Sequence, residues 1–137
     1  MLSGGAKPPQ KGINRYLDEK WVARNEKDLQ EMSDGHEKLI NLILAEEEEL
    51  ITTHKEHIDS MVGIIKGEMM ILNEVDQPGS DVDEYTTALK VYLEQQVQCI
   101  MGIKEKVERF TQNLRVEEEV SKKFYRFQSE ILGIHDN

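Results

Sequence analysis

At 137 residues the chain has the length of one domain, and its balance of 38% hydrophobic, 6% aromatic and 32% charged residues is too polar for a β-sandwich or barrel but suits long helices. The net charge of −10 is uneven: residues 1–27 carry six basic and three acidic groups, residues 28–100 four and seventeen, and residues 101–137 seven of each. The acidic middle repels nucleic acid and acidic membranes, no apolar run is long enough for a membrane span or a signal peptide, and the lone Cys99 excludes an internal disulfide or a cysteine zinc site, so a soluble intracellular protein is expected.

Residues 1–12, with Gly4, Gly5, Pro8, Pro9 and Gly12, read as a flexible leader. From Ile13 the apolar residues Ile13, Tyr16, Leu17, Trp21, Leu29 and Met32 fall on one side of a helix. The Ser33-Asp34-Gly35 triplet is expected to be absorbed in that helix or to kink it slightly, its glycine costing about 1 kcal/mol. Between 39 and 76, apolar pairs recur every seven residues as Ile43-Leu44, Leu50-Ile51, Ile64-Ile65 and Ile71-Leu72, with His57-Ile58 between them. With the second member of each pair at heptad position a, the stripe is apolar at a and g and mixed at d, where Glu47, His54, Met61, Glu68 and Val75 fall. So wide a stripe suits a helix packed on one long partner and touched by another.

The pattern stops at Asp76-Gln77-Pro78-Gly79-Ser80, where proline lacks a donor and glycine permits a positive φ, so the chain reverses there. Ser80 reads as the N-cap of a second helix, with Asp83 in the place of the capping-box acid. The stripe of that helix includes Leu89, Leu93, Gln96, Ile100, Ile103, Val107, Phe110 and Leu114, and continues through Phe124 to Ile131. The expected fold is therefore all-α: a long antiparallel two-helix hairpin, coiled-coil-like, with a kink or a short extra helix at its N-terminal end. Its first arm covers about 13–76, its turn 77–80 and its second arm about 81–132, within one helical-hairpin domain over 13–137. Residue numbers that sum to about 157 should face each other, which puts Ile65 near Tyr92 and Leu93, Ile51 near Val107, and Leu29 and Met32 beside Phe124–Ile131.

Chemistry-bearing patterns are sparse. His54 and His57 lie three apart, but neither H-E-x-x-H nor a Glu-x-x-His motif accompanies them, so polar coiled-coil or surface histidines are expected and no metal or cofactor. The run Glu46–Glu49 reads as a solvated helix face, with Glu47 unusual at position d, and Cys99 as a small buried hydrophobe. Gly63 and Gly67, away from the a/g seam, leave bare helix surface that would allow a partner to dock closely. The basic N-terminal segment, with Lys7, Lys11, Arg15, Lys20, Trp21 and Arg24, is a candidate contact for an acidic partner, the bland alternative being that Trp21 and Leu17 pack on the hairpin end.

The run Glu46-Glu-Glu-Glu-Leu-Ile-Thr-Thr-His54, then His57-Ile58-Asp59, Glu68-Met69 and Leu72-Asn-Glu-Val-Asp-Gln-Pro-Gly-Ser80, followed by Tyr85, Leu89, Phe110, Leu114, Glu117, Glu118 and Ser121, resembles the C-terminal helical region of the kinesin-13 family. The resemblance spans roughly Ala45 to Lys123, and the turn Glu74–Ser80 is its most specific part. Kinesin-13 proteins are internal-motor kinesins that depolymerise microtubules, so the resemblance implies a tail module that contributes to dimerisation and to motor regulation. No G-x-x-x-x-G-K-[ST] phosphate loop occurs, so ATP hydrolysis and depolymerisation are not expected of this chain, either a fragment of a longer kinesin or a motor-free protein. The resulting expectation is a non-enzymatic interaction module of the microtubule cytoskeleton, with no nucleic-acid or membrane partner. It would be a homodimer or a subunit of a larger assembly, with tubulin or a kinesin motor domain as protein partner, on the cytoplasmic cytoskeleton of spindle or cilium. The alternative is a generic coiled-coil adaptor or scaffold subunit with no tubulin contact.

Overall fold

The structure, a computed structural model, describes residues 11–133; Lys7 and the rest of the leader before Lys11 lie outside the described residues. Helix α1 (Lys11–Asn14) runs into a 3-10 turn at Arg15–Leu17, and two long helices follow, α2 (Glu26–Val75) and α3 (Val82–Leu132). These two pack as a hairpin, and α1 is the short extra helix at its N-terminal end. The first arm is thus not continuous from Ile13. Asp18 leaves the helical region with ψ of 125°, its carboxylate accepts from the Lys20 N–H at 2.9 Å and its carbonyl from the Trp21 N–H at 3.0 Å, which turns the chain.

Helix α2 starts where Asn25 accepts from the Asp28 N–H at 2.9 Å, while the Asp28 carboxylate accepts from the Arg24 N–H at 2.9 Å. This reciprocal cap satisfies two donors that would otherwise be orphaned. The Ser33-Asp34-Gly35 triplet is absorbed inside α2 without a break. A Cβ on Gly35 would lie 3.3 Å from Tyr16 Cε2 and 3.4 Å from Ile13 Cδ1, so the missing side chain is the seat on which α1 rests.

At the turn, Gly79 takes φ of +77°, the left-handed conformation that glycine adopts without cost. Ser80 does not cap α3, as its place in the sequence suggests. Its hydroxyl donates to the Val75 carbonyl at 2.7 Å and so closes the end of α2. The N-cap is Asp81, whose carboxylate accepts from the N–H groups of Asp83 at 2.9 Å and Glu84 at 3.3 Å. Asp76 and Pro78 are exposed; the Asp76 N–H continues the helical ladder to the Leu72 carbonyl at 3.3 Å.

By their contacts the residues fall into two units, one holding those up to Glu48 together with those from Val107 onward, the other Glu49–Lys106. In the first, Ile13, Tyr16 and Ala23 from the N-terminal segment close a core with Leu29, Met32 and Leu39 of α2 and Val116, Val120 and Phe127 of α3. Leu29 and Met32 share this core with Phe127, with Phe124 and Ile131 packed against it, and each such buried side chain contributes about 1.5–3 kcal/mol. In the second unit the close pairs Glu49–Lys106 and Gly67–Tyr92 keep the expected register to within two residues.

Candidate interaction surfaces

Within the unit Glu49–Lys106 the two glycines behave differently. A Cβ on Gly67 would lie 2.6 Å from the Tyr92 ring, so the close approach that this glycine permits is to α3 of the same chain and not to an outside partner. Nothing lies within 4 Å of a Cβ on Gly63, which is open surface.

The basic N-terminal residues divide in the same way. Trp21 is half-buried and packs edge-on against Tyr16 and Phe127, with ring centroids 4.7 Å and 5.9 Å away. Lys123 of α3 holds this segment in place: its ammonium donates to the Tyr16 carbonyl at 2.9 Å and the Asp18 carbonyl at 2.6 Å, and sits 5.6 Å from the Trp21 ring. Burial, then the nearby Arg126 charge, push the Lys123 pKa down, against the pull of Asp18 and Glu19. Arg15 is exposed, its Nε donating to the Gly12 carbonyl at 3.2 Å, and Lys20 and Arg24 are exposed as well. Arg15, Lys20 and Arg24 are therefore reachable by an acidic partner, whereas Trp21 is engaged in packing; Lys11 lies in α1.

The acidic run is not one solvated face. Glu46 turns into the seam, where its carboxylate accepts from the buried Asn113 amide at 2.5 Å and lies 3.6 Å from Arg109 Nε. Glu49 pairs with Lys106 while remaining exposed, as Glu47 and Glu48 are, so the seam position belongs to Glu46 and not Glu47. His36 meets Glu117 at 2.8 Å beside Phe124. His54 is exposed, while His57 is half-buried with Nδ1 lacking a hydrogen-bond partner. Among the described residues no group of three or more His, Cys, Asp or Glu side chains could hold a metal ion, and no helix is long and apolar enough to cross a membrane.

The largest departure from the sequence reading concerns the seam itself. The g row Ile43, Leu50, His57, Ile64 and Ile71 is turned inward, but the a row Leu44, Ile51, Ile58, Ile65 and Leu72 remains 47–56% exposed. Helix α3 splits likewise: Leu89, Gln96, Ile103 and Phe110 are half-buried, whereas Leu93, Ile100, Val107 and Leu114, also seven apart, are 39–48% exposed. Each arm therefore carries two heptad rows, and the hairpin uses one. Ile65 and Ile51, and the Leu93 and Val107 expected to face them across the seam, thus all lie in the exposed rows.

No family model matches the chain, and no solved structure matches it. The chain is similar to kinesin-like protein KIN-13A of Oryza sativa subsp. japonica, 38% identical over 84 residues, which is 61% of this chain and 10% of that protein. It is also similar to kinesin-like protein KIN-13B of Arabidopsis thaliana, 34% identical over 76 residues, 56% of this chain and 11% of that protein. The chain thus spans about a tenth of the length of these curated relatives, and some three-fifths of it is related in sequence to a segment of kinesin-13 proteins.

Proposed function

We propose that this chain is a non-catalytic interaction module of the microtubule cytoskeleton, a kinesin-13 tail segment that mediates dimerisation or docking and regulation of the motor. The observation that carries the reading is the kinesin-13 similarity over 84 residues in a chain without a phosphate loop. Tubulin or a kinesin motor domain is the proposed protein partner, and the cytoskeleton, at spindle or cilium, the proposed location. The exposed cations Arg15, Lys20 and Arg24 support contact with an acidic surface.

The test is microtubule co-sedimentation of the full chain and of the K20E/R24E variant at low and moderate salt. Charge reversal is preferable to deleting residues 1–27, because Ile13, Tyr16 and Ala23 belong to a core. Binding by the parent that weakens with salt and fails in the variant supports the tubulin reading. Absence of binding in both leaves a motor domain or another protein as partner.

A further inference from the structure

We infer that the groove between the 3-10 turn and α3 in the first unit is a binding site for an acidic peptide segment, with a side-chain carboxylate seated between Arg126 and Lys123 and a neighbouring apolar side chain on Leu17. This rests on the reading of the chain as an interaction module and gives the chemistry of one partner contact, made by residues other than Arg15, Lys20 and Arg24.

The sequence builds the site in two pieces. On α3, Glu119, Lys122, Lys123 and Arg126 fall within two turns at steps of three and four, so they share a side of the helix. The turn at Asp18 lays Tyr16, Leu17 and Glu19 beside them and leaves a groove of about 750 Å³, a volume within the range of small-ligand sites. Every wall of it belongs to the one unit. Leu17 stands 40% exposed in that wall, an apolar surface for a side chain of the bound segment.

Charge decides the occupant. Three cations and two carboxylates line the groove, and Glu119 is matched by Lys122 at 3.8 Å. Lys123, Arg126 and Glu19 remain, an excess of one positive charge that one carboxylate balances. Lys123 Nζ and Arg126 Cζ lie 5.9 Å and 4.8 Å from the centre of the same Phe127 ring, so two like charges are held near each other. The Tyr16 and Asp18 carbonyls take two of the three donors of Lys123, which leaves one for a ligand. Burial lowers the Lys123 pKa first and repulsion by Arg126 second, and the pull of Asp18 and Glu19 does not undo it, which fits a positive site that its own carboxylates leave unbalanced. A carboxylate there accepts charge-assisted hydrogen bonds from both cations, whereas a basic or neutral segment gains none.

The experiment is isothermal titration calorimetry of the full chain with a short poly-L-glutamate, N-acetylated and C-amidated so that its carboxylates are all side chains, beside the matching poly-L-glutamine, at low and moderate salt. Arg126→Gln removes an exposed guanidinium without touching the bonds from Lys123 that hold the N-terminal segment, and Lys66→Gln removes an exposed cation of the other unit. Circular dichroism checks the fold of both. The expected result is binding of the glutamate peptide alone, weaker at moderate salt, weakened roughly tenfold or more by Arg126→Gln and unchanged by Lys66→Gln. No binding by the parent at about 1 mM peptide, equal binding of the glutamine peptide, or a loss in Arg126→Gln no greater than in Lys66→Gln overturns the inference. Microtubule co-sedimentation reads the proposed function separately: a parent that pellets without taking up the peptide defeats only the groove, and one that takes up the peptide without pelleting defeats only the tubulin reading.

Discussion

The buried amide of Asn113 donates to the Glu46 carboxylate at 2.5 Å, a polar contact between the two arms. Asn113 is 2% exposed, so neither group of the pair can simply exchange its partner for bulk water. Replacing Asn113 by alanine should destabilise the fold by about 1–3 kcal/mol, because it removes a donor from a largely buried carboxylate. Replacing both residues by leucine should recover much of that loss, since a matched apolar pair carries no desolvation penalty. Urea denaturation of Asn113→Leu, Glu46→Leu and the double leucine variant gives the coupling, and singles within a few tenths of a kcal/mol of the parent would show the contact to be energetically idle.

The two glycines of α2 call for opposite outcomes. Gly63→Ala should stabilise by about 0.5–1 kcal/mol, the helix-propensity gain at an open position. Gly67→Ala meets the Tyr92 ring at 2.6 Å and should lose that gain or more, because the tyrosine must leave its place. Truncating Tyr92 to alanine removes the obstacle, so Gly67→Ala measured in that background should regain its stabilising sign. Equal gains at both glycines in the parent would remove the reason given for Gly67.

How far the sequence could be read follows from which forces act over short distances. The hairpin, its reversal at Pro78-Gly79 and its register were legible because heptad spacing and turn chemistry are local. The break at Asp18–Asn25 was legible in principle: Asn25-Glu-Lys-Asp28 is a capping-box pattern, yet the apolar residues on either side of it continue a helical period and mask it. Which of two adjacent heptad rows turns inward was not legible, because Ile43 and Leu44 are equally apolar and the choice is made by the helix that packs on them. The same holds for Gly67, whose neighbour Tyr92 lies 25 residues away in sequence. Lys123 gave no signal at all, since a lysine that bonds two carbonyls looks in sequence like any surface lysine.

Alkaline pH should loosen the N-terminal segment through Tyr16. Burial raises its pKa above the ordinary 10.0, with Glu31, Asp28 and Asp34 adding and Arg15 opposing. A raised folded-state pKa contributes stability that is present below the unfolded value and is lost as pH rises through the folded one. Lys123 has the opposite sign: its lowered pKa is a cost that is full below the folded value and disappears as pH rises from there to the unfolded value of 10.5. The parent should therefore lose stability above about pH 10 relative to Tyr16→Phe, which keeps the ring and removes the titrating group. Thermal unfolding of both at steps from pH 8 to beyond about pH 11 tests this, and parallel curves would defeat it.

Lys123→Met should free the N-terminal segment while α2 and α3 stay paired. The substitution keeps much of the side-chain volume but removes the donors to the Tyr16 and Asp18 carbonyls, charged hydrogen bonds worth about 1.5–3 kcal/mol each. It also removes the cation beside the Trp21 ring. Trp21 is the one tryptophan of the chain, so its fluorescence reports on this segment alone. A red-shifted emission with stronger acrylamide quenching, at nearly unchanged helical circular dichroism, is the expected result. Lys123→Arg should fall between the two, since guanidinium retains charge and donors but cannot place one nitrogen between two carbonyls in the same way. Unchanged emission in Lys123→Met would mean that the apolar contacts of Ile13, Tyr16 and Ala23 hold the segment by themselves, and that the ammonium is a passenger on a seat built by Gly35.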